Sequence, residues 1–411
     1  MPKSIAIIGG GHGGSQVAAS LRDGGYDGAL TLVTAETDIP YQRPPLSKAF
    51  LKDPKHDLLP LRPASFYEKN SIELRLGARV EAIDLRARRL TLADGGTLAF
   101  DALALAPGAR PRLPRIEGIG FDGVFALRES ADARAIRERL ISASDVVVVG
   151  GGFIGLEIAS TARLLGKTVT VLEAADRLMG RVVAREISAH FLGLHRGWGT
   201  DVRLDTAIGR VIGEEGRVAA VETAAGDRIP ADMVLIGIGV IPNSEVAGAA
   251  GIQVENGIVV DDFMATSVPE IVAFGDAANF HHWDLQRRVR LESVQNAVDQ
   301  AKTAAATLLG KHEAYRAVPW FWSDQGDVKL QMVGLPFSAT RSIRRGSPDS
   351  GAFSIFHYAG DRLVAIDSVN RAADHMIGRR LIGAGISPPP EVAADEGADL
   401  KAMVAGVSAG H

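Results

Sequence analysis

Apolar residues run unbroken through Ile5-Ala6-Ile7-Ile8 and again through Val146-Val147-Val148-Val149. Short runs without polar alternation fit strands covered on both faces, as in parallel sheets. Each run leads straight into glycines, GGGHGG from Gly9 and GGGFIG from Gly150. A helical pattern follows each cluster, then a second apolar run (Leu30–Val33; Thr168–Leu172) and an acid, Glu36 in the first case and Glu173 in the second. The two glycine clusters lie 141 positions apart, so the chain repeats one strand, turn, helix, strand, acid unit.

The remaining pattern sorts into three regions. Residues 1–110 form the first unit, and Arg110-Pro111-Arg112-Leu113-Pro114 reads as a linker, because proline disrupts regular pairing. Residues 111–239 form the second unit, closed by the strand-like run Met233–Gly239. Residues 240–318 return to the first, through the buried-type strand Ile271–Asp276 and a helix whose stripe is Val294, Ala297, Val298, Ala301, Ala305 and Leu308. Gly310 is a helix stop. From residue 319 onward, strand-like runs at Lys329–Val333 and Phe353–Tyr358 separated by turns predict a smaller α+β domain, 319–411. The last 25 or so residues, with Pro388-Pro389-Pro390, are expected to be loosely ordered apart from a short helix near Leu400–Val404. The fold class is α/β, with two Rossmann-like dinucleotide-binding domains plus a C-terminal α+β domain.

The repeat carries chemistry. Gly9 and Gly150 permit a tight turn, Gly11 and Gly152 let a pyrophosphate approach the backbone, and Gly14 and Gly155 let the helix pack on the strand. The helix N-terminus offers free N–H groups to phosphates, and the acid accepts from ribose hydroxyls. Two such units imply two dinucleotides, most naturally a bound flavin and a diffusing nicotinamide. A carboxylate at Glu173 suits a free 2′-hydroxyl and repels a 2′-phosphate, and no arginine follows before Arg177, so NADH is favoured over NADPH.

Composition narrows this further. The chain has 411 residues, 46 of them glycine, and a net charge of −4. That balance disfavours nonspecific nucleic-acid binding. There is no cysteine, hence no disulfide, thiolate nucleophile or redox dithiol. No apolar run spans a membrane and no signal-peptide pattern opens the chain, so a cytoplasmic location is expected. No metal site is expected either: His281-His282 lacks a third ligand at useful spacing and reads as a polar loop.

The combination of GGGHGG, YQRPPLSK (Tyr41–Lys48), GGGFIGLE (Gly150–Glu157), GIGVIPN (Gly237–Asn243), FGD (Phe274–Asp276), LESVQNA (Leu291–Ala297) and PWFWSDQ (Pro319–Gln325) resembles the bacterial FAD-dependent ferredoxin reductases of the glutathione-reductase structural superfamily, over nearly the whole chain. The resemblance implies that FAD is held by 1–110 and 240–318, with Gly9, Gly11, Gly13 and Gly14 at its pyrophosphate. It puts Glu36 near the adenosine ribose, Arg43 and Lys48 reaching toward the pyrophosphate and ring, Val80 by the adenine and Arg128 near the flavin. Asp276 would bond the ribityl chain, and Val294 opens a helix facing the flavin pyrimidine. Gly152, Ile154, Glu157, Glu173 and Gly239 would serve NADH in 111–239, with Glu157 partnering Lys48. One departure is Ala106-Pro107-Gly108, where the superfamily often has Ala-Thr-Gly.

Trp320 and Trp322 alternate and share a strand face. Core packing is the default for such aromatics, and the flavin edge is the sharper reading, with Trp322 as an electron-exit residue. Arg287, Arg288 and Arg290 form a basic cluster that reads as a solvated face or, more sharply, as a docking surface for an acidic partner, and the resemblance adds Arg62 and Lys302 as further candidates. The activity implied is NADH:ferredoxin reduction. Hydride is taken from NADH, and single electrons pass to a two-iron two-sulfur ferredoxin that feeds a monooxygenase (haem-thiolate cytochrome) or dioxygenase. Without cysteine the electrons leave directly from the flavin. Alternatives are another acceptor (rubredoxin, quinone or oxygen) or a redox sensor resembling apoptosis-inducing factor.

Overall fold

The computed structural model describes residues 1–408, with side chains described through Val404. The chain forms two compact units. The first comprises Met1–Pro45, Asp57–Arg110 and Val240–Ala317, and the second comprises Leu46–His56, Pro111–Gly239 and the chain from Val318 on. The short segment Leu46–His56 therefore leaves the surrounding sequence to join the second unit.

In the first unit a five-stranded sheet runs in the order Ile271–Ala273, Ala102–Leu105, Ser4–Ile8, Ala29–Val33, Ile72–Arg75. All its pairings are parallel, with Ser4 beside Ala29 and Ile8 beside Val33. Ile5, Ala6 and Ile7 are fully buried, which explains the absence of polar alternation. Helix His12–Asp23 follows the first glycine turn. Helix Val294–Leu308 buries Ala297, Ala301, Ala304, Ala305 and Leu308, while Val294 and Val298 are only half-buried. Gly310 terminates it at φ +77°. Three antiparallel strands, Val80–Asp84, Arg89–Leu92 and Thr97–Ala99, form a separate small sheet.

The second unit repeats the parallel arrangement, in the order Asp201–Arg203, Thr168–Leu172, Asp145–Val149, Met233–Ile236, Val124–Phe125. Helix Phe153–Leu164 follows its glycine turn. The same unit contains a five-stranded antiparallel sheet, Trp320–Gln325, Val328–Gly334, Arg362–Val369, Ala352–Ala359, Arg341–Ser347, covered by helix Ala372–Gly383.

Three local expectations change. The start of the predicted linker, Ala109–Pro111, is a short strand, while the break between the units falls at Arg110–Pro111, within the linker. His281-His282 closes a strand, Ala278–His282, and His282 is buried rather than displayed on a polar loop. The C-terminal segment is anchored rather than loose. Helices Pro390–Ala394 and Leu400–Ser408 form, and Ala393 and Leu400 join the hydrophobic core of the antiparallel sheet. The buried Arg345 guanidinium donates to the carbonyls of Ala393, Asp395, Glu396 and Ala398. Composition hid this because one arginine, some fifty positions upstream, supplies the donors. Residues 409–411, the end of that segment, lie outside the described residues.

Candidate functional site

The two glycine turns share one geometry. Gly9 has φ +110° and Gly150 φ +106°, a region that side chains rarely enter. A Cβ on Gly14 would sit 1.8 Å from the Gly9 carbonyl oxygen, and one on Gly155 would sit 2.4 Å from that of Gly150. Both helices therefore start in close contact with their turns. Gly11 and Gly152 are the N-caps of these helices, in ordinary extended conformation and without a side-chain cap bond. A Cβ on Gly11 would meet nothing nearer than the Arg43 guanidinium at 3.9 Å, and one on Gly152 nothing nearer than the Gly237 carbonyl at 3.8 Å. Helix N-termini without a side-chain cap, with no neighbour pressed closer than van der Waals contact, suit a dinucleotide pyrophosphate, so FAD and NADH both fit. At Gly13 a Cβ would meet the Phe274 ring at 3.0 Å, so its missing side chain also permits packing.

Around the first turn, Glu36 accepts from Arg43 at 2.5 Å and from the Tyr41 hydroxyl. Arg43 thus stands beside Gly11 but is paired with an anion of its own unit. Val80 opens its strand just after Ala78 and Gly77, whose N–H groups bond the carbonyls of Thr34 and Glu36. Asp276 sits in a single turn of 3-10 helix, Gly275–Ala277, half-buried. Val294 is the first residue of its helix, capped by the Ser293 hydroxyl accepting from Asn296 N at 3.1 Å. Pro107 does donate nothing, but its carbonyl accepts from Asn243 Nδ2 at 2.9 Å, and Asn243 N bonds the Gly108 carbonyl. Asn243 of the GIGVIPN motif thereby fixes the departing turn.

In the second unit, Glu173 accepts from Gly151 N at 2.7 Å and from Ala175 N at 2.8 Å, which locks its carboxylate over the glycine turn. Arg177 is spent on the carbonyls of Val183 and Gly180. Ile154 is 41% exposed on the first helical turn, an apolar surface suited to an aromatic ring. Gly239 has φ +106°, and a Cβ there would meet Arg181 Nη2 at 3.5 Å. Arg128 precedes helix Ser130–Ser142, and its N–H bonds Asp132 Oδ2.

Glu157, one turn into helix Phe153–Leu164 and 4% exposed, is a hub. Its Oε2 accepts from Ser47 Oγ at 2.5 Å and Lys48 Nζ at 2.6 Å, and its Oε1 accepts from Ser323 Oγ at 2.7 Å. Burying an ion pair is costly unless the remaining lone pairs are served, and the two serines serve them. The segment bearing Ser47 and Lys48 is held by Thr161 Oγ1 donating to the Ser47 carbonyl at 3.1 Å. Arg137 stacks 4.1 Å over the Phe50 ring and donates to the His56 carbonyl at 3.1 Å.

Strand Trp320–Gln325 has two distinct faces. Phe321 packs on Phe153 at 4.7 Å, and Ser323 points with it toward the glutamate. Trp320 and Trp322 lie on the opposite face, 5.5 Å apart, with Trp320 against His375 and under Arg379. Trp320 is thus in the core arrangement, and Trp322 is on the face away from Glu157. The basic cluster is largely committed: Arg288 donates to the carbonyls of Val260 and Asn279, Arg290 pairs with Glu292 at 2.6 Å, and Lys302 pairs with Asp299 at 2.9 Å. Arg62 stacks on Phe66, and Arg287 is exposed.

Residues 3–301 match the family described as pyridine nucleotide-disulphide oxidoreductase. The chain belongs to the pyridine nucleotide-disulphide oxidoreductase family. Residues 320–404 match the domain described as reductase C-terminal. Within the family, the chain is 46% identical over 403 residues to rhodocoxin reductase of Rhodococcus erythropolis, covering 98% of this chain and 94% of that one. The crystal structure of the ferredoxin reductase for the CYP199A2 system from Rhodopseudomonas palustris superposes with a TM-score of 0.95 at 44% identity, covering 98% of this chain and 100% of that one. The covalent putidaredoxin reductase–putidaredoxin complex gives a TM-score of 0.95 at 42% identity, covering 99% of each chain. This family member has no cysteine and so lacks the dithiol after which the family is named. Ser47, Ser323, Gln325 and Arg137 were not singled out from the sequence, although the alternation in WFWSDQ places Ser323 and Gln325 on one face.

Proposed function

We infer that the protein is an FAD-dependent NADH:ferredoxin reductase, which takes hydride from NADH and delivers single electrons to a two-iron two-sulfur ferredoxin serving an oxygenase. The observation that carries this reading is the pair of uncapped glycine turns in a chain without cysteine. Relatives named as ferredoxin and rhodocoxin reductases, and a neighbour solved in complex with putidaredoxin, support the acceptor. A bound flavin takes electrons as a pair and releases them singly, and that is the chemistry FAD supplies here.

The chain's own residues do the rest. In the first unit the turn at Gly9–Gly11 and the start of helix His12–Asp23 would hold the FAD pyrophosphate, with Glu36, Arg43, Val80 and Asp276 around it. The N-terminus of helix Val294–Leu308 favours negative charge on the flavin pyrimidine. In the second unit the turn at Gly150–Gly152 would hold the NADH pyrophosphate and Glu173 the adenosine ribose. Ile154 and Gly239 would flank the nicotinamide arm. Glu157 orients the Lys48 ammonium, which supplies positive charge where hydride arrives. Arg128 would lie near the flavin in the resemblance, and Trp322 is the proposed electron-exit residue, with Trp320 packed beside it. Among the described residues no helix is long and apolar enough to cross a membrane. NADH is a soluble intracellular donor, so we place the reaction in the cytoplasm.

The test is NADH-driven cytochrome c reduction with and without an added two-iron ferredoxin, repeated with NADPH. A rate that requires ferredoxin and strongly prefers NADH is expected. Fast flavin reduction with no ferredoxin-dependent rate would assign another acceptor.

A further inference from the structure

Beyond Glu157 a second line of polar groups continues through the interior of the second unit. Ser323, Gln325 and His195 are each 0% exposed. Gln325 Nε2 donates to Ser323 Oγ at 3.3 Å and toward Met179 Sδ at 3.7 Å, and Gln325 Oε1 faces His195 Nε2 at 2.9 Å. None of these three belongs to the glycine turn, and their burial needs an explanation, since sealed polar groups are costly unless each is satisfied.

The hydrogens in this line can be assigned. An ionised carboxylate only accepts, so Ser323 spends its single O–H on Glu157 Oε1 at 2.7 Å. Ser323 Oγ can then only accept from Gln325, which puts the amide nitrogen on the serine side and the amide oxygen on the histidine side. The reverse amide orientation would set its oxygen against the lone pairs of both Ser323 Oγ and Met179 Sδ. His195 must therefore donate through Nε2. Its Nδ1 is buried without a partner, which is tolerable for an unprotonated nitrogen and worse for an N–H. Burial lowers the His195 pKa from its usual value, in keeping with a neutral ring. Every donor in the line points the same way, from His195 through Gln325 and Ser323 to Glu157. The amide blocks proton passage, so the line serves to fix position.

We propose that Ser323, Gln325 and His195 are positioning residues for hydride transfer from NADH: a one-way chain of hydrogen bonds that holds the Glu157 carboxylate and, through it, the Lys48 ammonium. This rests on the reading of Glu157 and Lys48 given above. It assigns the first strand of the C-terminal antiparallel sheet a part in the chemistry, because that strand brings Ser323 and Gln325 to the nicotinamide-binding helix. Two further bonds tie the same strand end to that helix: Gly326 N donates to Ser160 Oγ at 3.2 Å, and Ser160 Oγ donates to the Glu157 carbonyl at 2.8 Å.

The experiment uses the full FAD-loaded chain in anaerobic single-turnover reduction by NADH, with NAD+ affinity measured separately at equilibrium. Ser323→Ala is expected to slow flavin reduction at saturating NADH about tenfold, the effect of losing one charge-assisted hydrogen bond. NAD+ affinity should stay within about twofold, so the loss appears in the rate and not in binding, while the melting temperature should fall by a few degrees because Gln325 and Glu157 each lose a buried partner. Ser323→Thr, which keeps the hydroxyl, should recover most of the rate. Gln325→Glu, nearly isosteric, offers Ser323 a competing acceptor and should slow reduction as Ser323→Ala does. Glu157→Gln separates this proposal from the reading beneath it. If Glu157→Gln is slow while Ser323→Ala reduces at the wild-type rate, the positioning chain is overturned and the role of Glu157 stands. If Glu157→Gln is itself as fast as wild type, both fall. Nitrogen-15 NMR of the wild-type holoenzyme provides a check that no variant need fold for: His195 should be the neutral Nε2–H tautomer, and finding the Nδ1–H tautomer would overturn the direction of the chain.

Discussion

A carboxylate that already accepts two backbone N–H bonds has little freedom to turn away from an incoming charge. Glu173 is held this way by Gly151 and Ala175. A ribose with free hydroxyls can donate to it, whereas a 2′-phosphate brings like charge against a fixed anion. Nor is Arg177 free to greet a phosphate, since its guanidinium bonds the carbonyls of Val183 and Gly180. Glu173→Ala should therefore raise the NADPH-to-NADH ratio of kcat/KM by roughly ten- to a hundredfold, about 1.4–2.8 kcal/mol. Steady-state rates with both nucleotides measure it, and an unchanged ratio would place the discrimination elsewhere. NADH efficiency itself should also fall, because the mutation removes an acceptor from the turn.

At the scale of the element, the glycine turns separate folding from binding. Gly14→Ala drives a methyl to 1.8 Å from the Gly9 carbonyl, and Gly155→Ala drives one to 2.4 Å from that of Gly150. The atoms met are backbone, so the helix must shift. We expect each change to cost more than about 3 kcal/mol, seen as a fall in melting temperature. Gly11→Ala and Gly152→Ala meet nothing closer than 3.8 Å and keep ordinary φ angles of −78° and −83°. Both variants should fold. Gly11→Ala should lose flavin on purification, while Gly152→Ala should keep flavin and raise the KM for NADH about tenfold. A Gly152→Ala enzyme with normal KM would show that the pyrophosphate does not approach that backbone. These elements were legible because turn, helix and acid lie within some thirty residues of one another and each demands a particular residue type. The chain behind Glu157 was not, because its bonds join residues 166 and 130 positions apart. His282 and the C-terminal segment misled for a related reason: polar or proline-rich composition indicates exposure only when no distant partner covers it.

Across the whole molecule, each unit buries a histidine that folding keeps neutral. Burial pushes His282 in the first unit down to about 4, with smaller effects from Asp284, His281 and Arg316. Burial does the same to His375 in the second, with a smaller contribution from Arg379. His282 is 3% exposed, and its Nδ1 accepts from the N–H groups of Asp284 and Leu285 at 3.3 Å each. In the unfolded chain such an imidazole takes up a proton as pH falls through about 6.5, whereas in the folded chain it does so only near 4. Between those values the unfolded state holds more protons, so stability rises with pH across this window and flattens above about pH 7. Each histidine contributes on the order of 3 kcal/mol over the full window. Denaturant unfolding from pH 4.5 to 8 should show this slope for both units, and His282→Gln, which cannot titrate and retains an acceptor, should flatten the part that belongs to the first unit while leaving the second unchanged. A His282→Gln protein whose unfolding keeps the full slope would mean that solvent reaches His282 and lets it charge in the folded state. In that case the acid sensitivity would have to come from carboxylates, which titrate lower and would move the whole transition below pH 4.5.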